Sequence, residues 1–289
     1  MTWTTIDKDK CTECGLCRLR CPLCYYEKDG LTLSRANETC CNLCGHCVAL
    51  CPAEAIVHHQ LDMANFPETG RPVQFDTGDF IQFIRQRRSH RHFKDEPVPR
   101  QALETLLEAC RYSPTGSNRQ TVEVIVVQDR ARIEMYSNHV VDHFEQTIPV
   151  IESRVEKLRA EGRAVDQITL SMMGMKETLG RIVAARRFGF EVIFHKAPAV
   201  LIFHAPETSS TPKDDCVIAV QTAMYAARTM GLETCWIGLF EFAANTYPPL
   251  VEALALPEGH RVYAVMIAGY PALKFLRMVD RKPIAARWE

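Results

Sequence analysis

The sequence predicts an α+β protein in two parts, a small cysteine-rich segment followed by a larger domain of strands and helices. Ten of the thirteen cysteines fall within the first 51 residues, eight of them in two copies of one spacing. Beyond residue 60, β-branched apolar stretches are separated by long helical ones without regular strand–helix alternation. That pattern points to a sheet with helices around it and away from a doubly wound fold. No G-x-G-x-x-G follows any predicted strand, so no Rossmann site for a dinucleotide is visible.

The first element is "CTECGLCRLRCP" (11–22), answered by "CNLCGHCVALCP" (41–52). Each reads C-x2-C-x2-C-x3-C-P. The N-terminus is polar and carries no apolar run of the kind that directs secretion, so a disulfide framework is not expected and metal binding is the better reading. Three thiolates at a spacing of three wrap one corner of a metal cluster only if the backbone coils tightly. Gly15 and Gly45 fall inside that coil, where a side chain would restrict the torsions. Structural zinc favours two separated ligand pairs, and packed quartets followed by Pro22 and Pro52 do not fit that pattern. Residues 1–60 resemble the bacterial two-cluster ferredoxins. The resemblance implies two 4Fe–4S clusters, one on Cys11, Cys14, Cys17 and Cys51, the other on Cys41, Cys44, Cys47 and Cys21. Cys24 and Cys40 lie outside the spacing and read as small buried residues or spare thiols. A segment this short buries little core, so the clusters are expected to supply its stability.

Residues 61–78, with two prolines and two glycines, read as a linker. From 79 to 289 a second domain follows. "DFIQFIRQR" sets Phe80, Ile81, Phe83 and Ile84 on one helical face, and "PRQALETLLEACRYS" does the same with Leu103, Leu106, Leu107 and Cys110. Strands are expected at 121–128, 199–205, 233–240 and 262–270, with seventy mostly helical, charged residues between the first two. Residues 214–231 form a helix apolar nearly all round, closed by Gly231, and so buried in a core or at a subunit interface. Cys110, Cys216 and Cys235 are isolated and read as core packing. The ten histidines show no spacing suited to a metal; His58-His59 and the pair His139/His143 read as ordinary positions.

Four stretches of this domain each admit a plain reading. "RRSHRHF" (87–93) is a basic helix end, "SPTGSNRQ" (113–120) a turn, "WIGLF" (236–240) a strand with a bulge, and "DRKP" (280–283) a soluble tail. Taken in order they resemble the FMN-dependent nitroreductase family. Arg87, Arg88, Ser89 and Arg91 match its first motif, and Pro114, Ser117, Asn118 and Gln120 its second. Ile237, Gly238 and Leu239 match the third, and Arg281 the terminal basic residue. After Gln120 the chain continues Thr121-Val122-Glu123, where the family often has proline and an aromatic. The resemblance implies a central antiparallel-type sheet wrapped by helices, and an intertwined homodimer with FMN at each of two interface sites. Arg87, Ser89, Arg91 and Arg281 are then expected to hold the phosphate and the ring's anionic edge, Asn118 the ring, and the backbone near Gly238 the reactive ring nitrogen. No catalytic side chain is needed, because the chemistry resides on the flavin.

Together the two parts read as an oxidoreductase passing electrons from the clusters to FMN and on to a nitro-aromatic or similar electron-poor small molecule. A reduced ferredoxin or another carrier is expected as donor. The alternative is an electron-transfer subunit that relays electrons to a partner protein. A net charge of −1 offers no attraction for nucleic acid or anionic lipid. The longest apolar runs are too short for a membrane span, and the expected location is the cytoplasm.

Overall fold

The computed structural model describes residues 3–22, 25–28, 32–35, 41–162, 164 and 166–289, with backbone alone for 25–28, 32–35, 168 and 172. Cys24 and Cys40 lie outside the described residues. The chain divides into two compact units, one of Met1–Phe75 with Ser117–Arg119, the other of Asp76–Gly116 with Gln120–Glu289. No helix among the described residues is long and apolar enough to cross a membrane.

In the first unit, β1 (Thr4–Ile6) pairs antiparallel with β4 (Ile56–His58), Thr4 opposite His58. β2 (Tyr25–Lys28) and β3 (Thr32–Arg35) form a second antiparallel pair. Each cysteine quartet carries one short helix, α1 (Leu16–Arg20) and α2 (His46–Ala49). The residue entering each helix is a glycine in the left-handed region, Gly15 at φ 71° and Gly45 at φ 70°. Two residues before each glycine the backbone is left-handed again, at Glu13 and Leu43. The repeat in sequence is therefore a repeat in backbone path.

The second unit begins with α3 (Thr77–Gln86), whose first turn is closed by the Asp76 side chain accepting from the Asp79 N–H at 3.1 Å. Its predicted apolar face is only partly covered, with Phe80 and Ile81 about half exposed. α4 (Arg100–Arg111) follows. The sheet is antiparallel throughout, in the order β5-β6-β8-β7, from β5 (Glu123–Val127), β6 (Ala199–Pro206), β7 (Glu233–Trp236) and β8 (His260–Gly269). The helical stretch between β5 and β6 comprises α5 (Arg130–Ala160) and α6 (Gln167–Arg187), cross-linked by Arg186 to Asp142 and Glu145. The remaining helices are α7 (Pro212–Thr229), α8 (Gly238–Ala244) and α9 (Pro248–Leu254).

Both faces of the sheet are covered, which is why β6 reads as an unbroken apolar run. Val200 and Ile202 join the core under α5, α6, α8 and α9, while Ala199, Leu201, Phe203 and Ala205 join the core under α4 and α7. One face of α7 packs there through Cys216, Ala219, Val220, Ala223 and Ala227, so much of the burial expected for this helix is met within its own chain. Gly231, at φ 72°, ends it as expected, with the Leu232 N–H returning to the Ala227 carbonyl at 3.0 Å. The strand expected at 233–240 stops at Trp236; from Gly238 the chain is helical. The apolar run there belongs to a buried helix start, which hydropathy alone does not separate from a strand.

Candidate functional site

Cys11, Cys14, Cys17 and Cys51 line one cavity of the first unit, floored by Ile6, Ala55 and Ile56. Three come from one quartet and the fourth from the other. Cys21 caps α1, its N–H bonded to the Cys17 carbonyl at 2.9 Å, while Cys41, Cys44 and Cys47 surround the start of α2. None of the described cysteines is in a disulfide. Burial pushes the Cys17 thiol up, and charge on Cys11 and Cys14 adds to the rise. Thiolates gathered so closely oppose one another's ionisation unless cations sit among them, and this donor set fits an iron–sulfur cluster. The Cys51 sulfur also accepts the Ala55 N–H at 3.3 Å.

His58, not assigned a role from the sequence, stands beside this chemistry. Its ring is 1% exposed, and Nδ1 accepts the Gln60 N–H at 3.3 Å. That bond leaves the proton on Nε2, which lies 3.5 Å from the Cys41 sulfur. No local spacing reveals this contact, which joins residues seventeen apart in the chain.

In the second unit, Arg87 caps α3 and the chain then runs extended along β7. Ser89 bridges Thr234 in parallel, and the His90 N–H donates to the Thr234 carbonyl at 3.0 Å. This segment covers the outer edge of the sheet. Beneath it Arg228 pairs with Glu233, both largely buried. Burial lowers the pKa of His90, helped by Arg228 and Arg87, and its Nε2 lies 3.7 Å from the Glu233 carboxylate. Burial raises the Glu233 carboxyl, against the pull of Arg228 and Arg87. Neither Arg87 nor Arg91 makes an ion pair with a carboxylate among the described residues, and Ser89 and Arg91 face solvent. Arg88 lines a different cavity, with Arg228, Glu233 and Phe275 of the C-terminal tail.

The loop after α4 takes an unusual path. Ser117, Asn118 and Gln120 all have positive φ, at 53°, 54° and 51°. Three such non-glycine residues in one loop are costly and must be held by their surroundings. Asp215 of α7, 2% exposed, is one restraint: its Oδ1 accepts the Gly116 N–H at 2.9 Å and the Thr211 hydroxyl at 2.8 Å. The Gln120 N–H donates to the Thr115 hydroxyl at 3.1 Å. Ser117–Arg119 group with the first unit, where the Asn118 amide donates to the Asn42 carbonyl at 3.0 Å. Pro114 is exposed at the loop's start. Beside the loop a cavity of about 320 Å³ is lined by Cys110, Ser113, Thr115, Gln120 and Asp215.

Ile237 is buried and its N–H reaches the Val265 carbonyl at 2.9 Å; Gly238 and Leu239 open α8. Arg281 lies exposed in the tail. Within one chain the expected flavin residues thus fall into separate groups: Arg87, Ser89 and Gly238 at or just past β7, the loop on α7, and Arg281 in the tail. The lone cysteines behave as core residues. Burial lifts Cys110 to about 11 and Cys216 to about 12, so neither is a ready thiolate.

The chain was compared with known proteins. Residues 84–270 match the nitroreductase family and residues 4–23 the 4Fe–4S binding domain. The chloronitrobenzene nitroreductase of Comamonas testosteroni is 30% identical, over 67% of this chain and 88% of its own length. A ferredoxin of Methanothermococcus thermolithotrophicus is 43% identical over 54 residues, 18% of this chain and 90% of that protein. Among solved structures, a nitroreductase of Bacteroides fragilis with bound FMN superposes at a TM-score of 0.53, with 21% identity, covering 73% of this chain and all of that one. That likeness shows a shared α+β fold.

Proposed function

The chain belongs to the nitroreductase family of oxidoreductases and carries a 4Fe–4S binding motif at its N-terminus, and from that premise we propose an iron–sulfur flavoprotein that passes electrons from two 4Fe–4S clusters to FMN and on to a nitro-aromatic or similarly electron-poor small molecule. The observation that carries this reading is the cavity lined by Cys11, Cys14, Cys17 and Cys51, in the same chain as the nitroreductase unit. The second set is Cys41, Cys44, Cys47 and Cys21, and the matching backbone path of the two quartets supports it.

FMN, when bound, takes up electrons singly and delivers them in pairs. The protein's part is to bind, orient and shield. Arg87, Ser89 and Arg91 fit the phosphate, because the two guanidinium groups are free of carboxylate partners among the described residues and would form charge-assisted, forked hydrogen bonds. Arg281 adds a further cation. Asn118 and Gln120, with Pro114 and Ser117 shaping their loop, would meet the ring edge. The backbone at Ile237, Gly238 and Leu239 would present N–H groups to the ring, and Arg88 would add positive field from the neighbouring cavity. These groups stand apart within one chain, and a homodimer that brings two copies together would complete the site from both.

The test is anaerobic turnover of a nitro-aromatic acceptor by a Cys14→Ala, Cys17→Ala double variant that retains flavin. Turnover driven by reduced ferredoxin should collapse relative to wild type, and turnover driven by NAD(P)H should be slow in both. Fast NAD(P)H turnover that is equal in the two proteins would remove the clusters from the route. Reduction of the flavin without turnover of any small acceptor would instead favour relay to a partner protein.

A further inference from the structure

A group of metal-ligating side chains lies at one end of the β5-β6-β8 sheet. Glu123 opens β5 and stands opposite His204 of β6. His260 opens β8. The register between β6 and β8 shifts after Phe203, which pairs with Ala264, so that His204 pairs with Val262 and Tyr263 is the extra residue. That bulge brings His260, two residues before Val262, diagonal to His204 on the same face. The face is the one beneath α5, since Ile202 and Val262 both pack into that core.

The geometry is close. His204 Nδ1 and His260 Nδ1 are 3.0 Å apart, and one ligand atom from each of Glu123, His204 and His260 lies within 4.8 Å of the others. His204 is 4% exposed, while Glu123 faces solvent and His260 is half-buried, so an ion can reach the group from outside. Two neutral imidazoles meeting nitrogen to nitrogen share at most one proton. A cation bonded at about 2.0–2.1 Å to both would hold them at about that separation, and the carboxylate would offset its charge. Two imidazoles and one carboxylate, with a fourth position open to water, suit a borderline-soft divalent ion better than magnesium or calcium.

We propose that Glu123, His204 and His260 form a site for one divalent transition-metal ion of the zinc class, which ties the ends of β5, β6 and β8 together. The ion adds no redox step and shares no ligand with the cysteine sets. Its ligands come from three strands that are distant in sequence, so no local spacing announces it.

The test uses the purified holoprotein, incubated anaerobically with excess zinc and passed through gel filtration, with metals measured per chain. Wild type should retain about one zinc with its iron and flavin unchanged, and its thermal midpoint should rise on loading. His260→Gln and Glu123→Gln, both at accessible positions, should weaken zinc binding at least tenfold and lose the thermal shift, with iron and flavin still unchanged. Zinc retained equally by both variants, no zinc retained by wild type, or uptake matched by loss of iron would each overturn the site.

Discussion

His58 lies 3.5 Å from the Cys41 sulfur, beside the proposed second cluster set. A hydrogen bond from its Nε2 to the Cys41 sulfur would stabilise the more negative, reduced state of the cluster on Cys41, Cys44, Cys47 and Cys21. We expect His58→Leu to lower that cluster's midpoint by roughly 30–60 mV, threefold to tenfold for one electron, and to leave the other unchanged. A redox titration followed by electron paramagnetic resonance reads this directly, and two unmoved midpoints would deny His58 the role. Arg91 is proposed as a flavin ligand. Arg91→Ala should weaken FMN binding by about 1.5–3 kcal/mol, the range for a hydrogen bond to a charged group. Full flavin occupancy after dilution and gel filtration would show that Arg91 is not a ligand.

At the scale of elements, the loop between α4 and β5 depends on α7. Its three left-handed residues follow Gly116, whose N–H is fixed by buried Asp215. A Cβ at Gly116 would sit 2.1 Å from the Thr211 hydroxyl oxygen, so Gly116→Ala must shift the loop or the Thr211 side chain that bonds Asp215. Overpacking of this kind costs about 1–3 kcal/mol. We expect the variant to keep its secondary structure by circular dichroism and to lose FMN in a binding titration. Wild-type flavin affinity would mean that the loop takes no part in the site. The loop's composition of serine, glycine, asparagine and glutamine was legible as a polar turn. Its left-handed path was not, because the restraint on it sits about a hundred residues away on another helix.

At the scale of the molecule, the sheet is closed on both faces, yet the tail beyond β8 is not. Leu276 is 86% exposed, and Ile284 and Trp288 are each 93% exposed. A segment with this much apolar surface is suited to lie on a second copy, and the proposed flavin residues lie on different elements of one chain. We expect light scattering to give a two-fold homodimer, with an obligate-type interface of more than about 2,000 Å². A monomer that still holds FMN would refute the shared site.

By itself the sequence determined what is local. The doubled C-x2-C-x2-C-x3-C-P, with a glycine inside each coil, set the backbone path around the cysteines, because three ligands within seven residues leave the chain few ways to turn. The unbroken apolar run of β6 and the glycine end of α7 were equally readable, since each follows from the residues of its own element. Tertiary structure alone decided the rest. It set His58 against Cys41, placed Asp215 under Gly116, and ended β7 at Trp236 where the apolar run continued into a helix. A one-residue bulge on β8 brought His260 to His204. Each of these joins residues far apart in the chain, and strand register, bulges and packing between elements fix such distances where hydrophobic period does not.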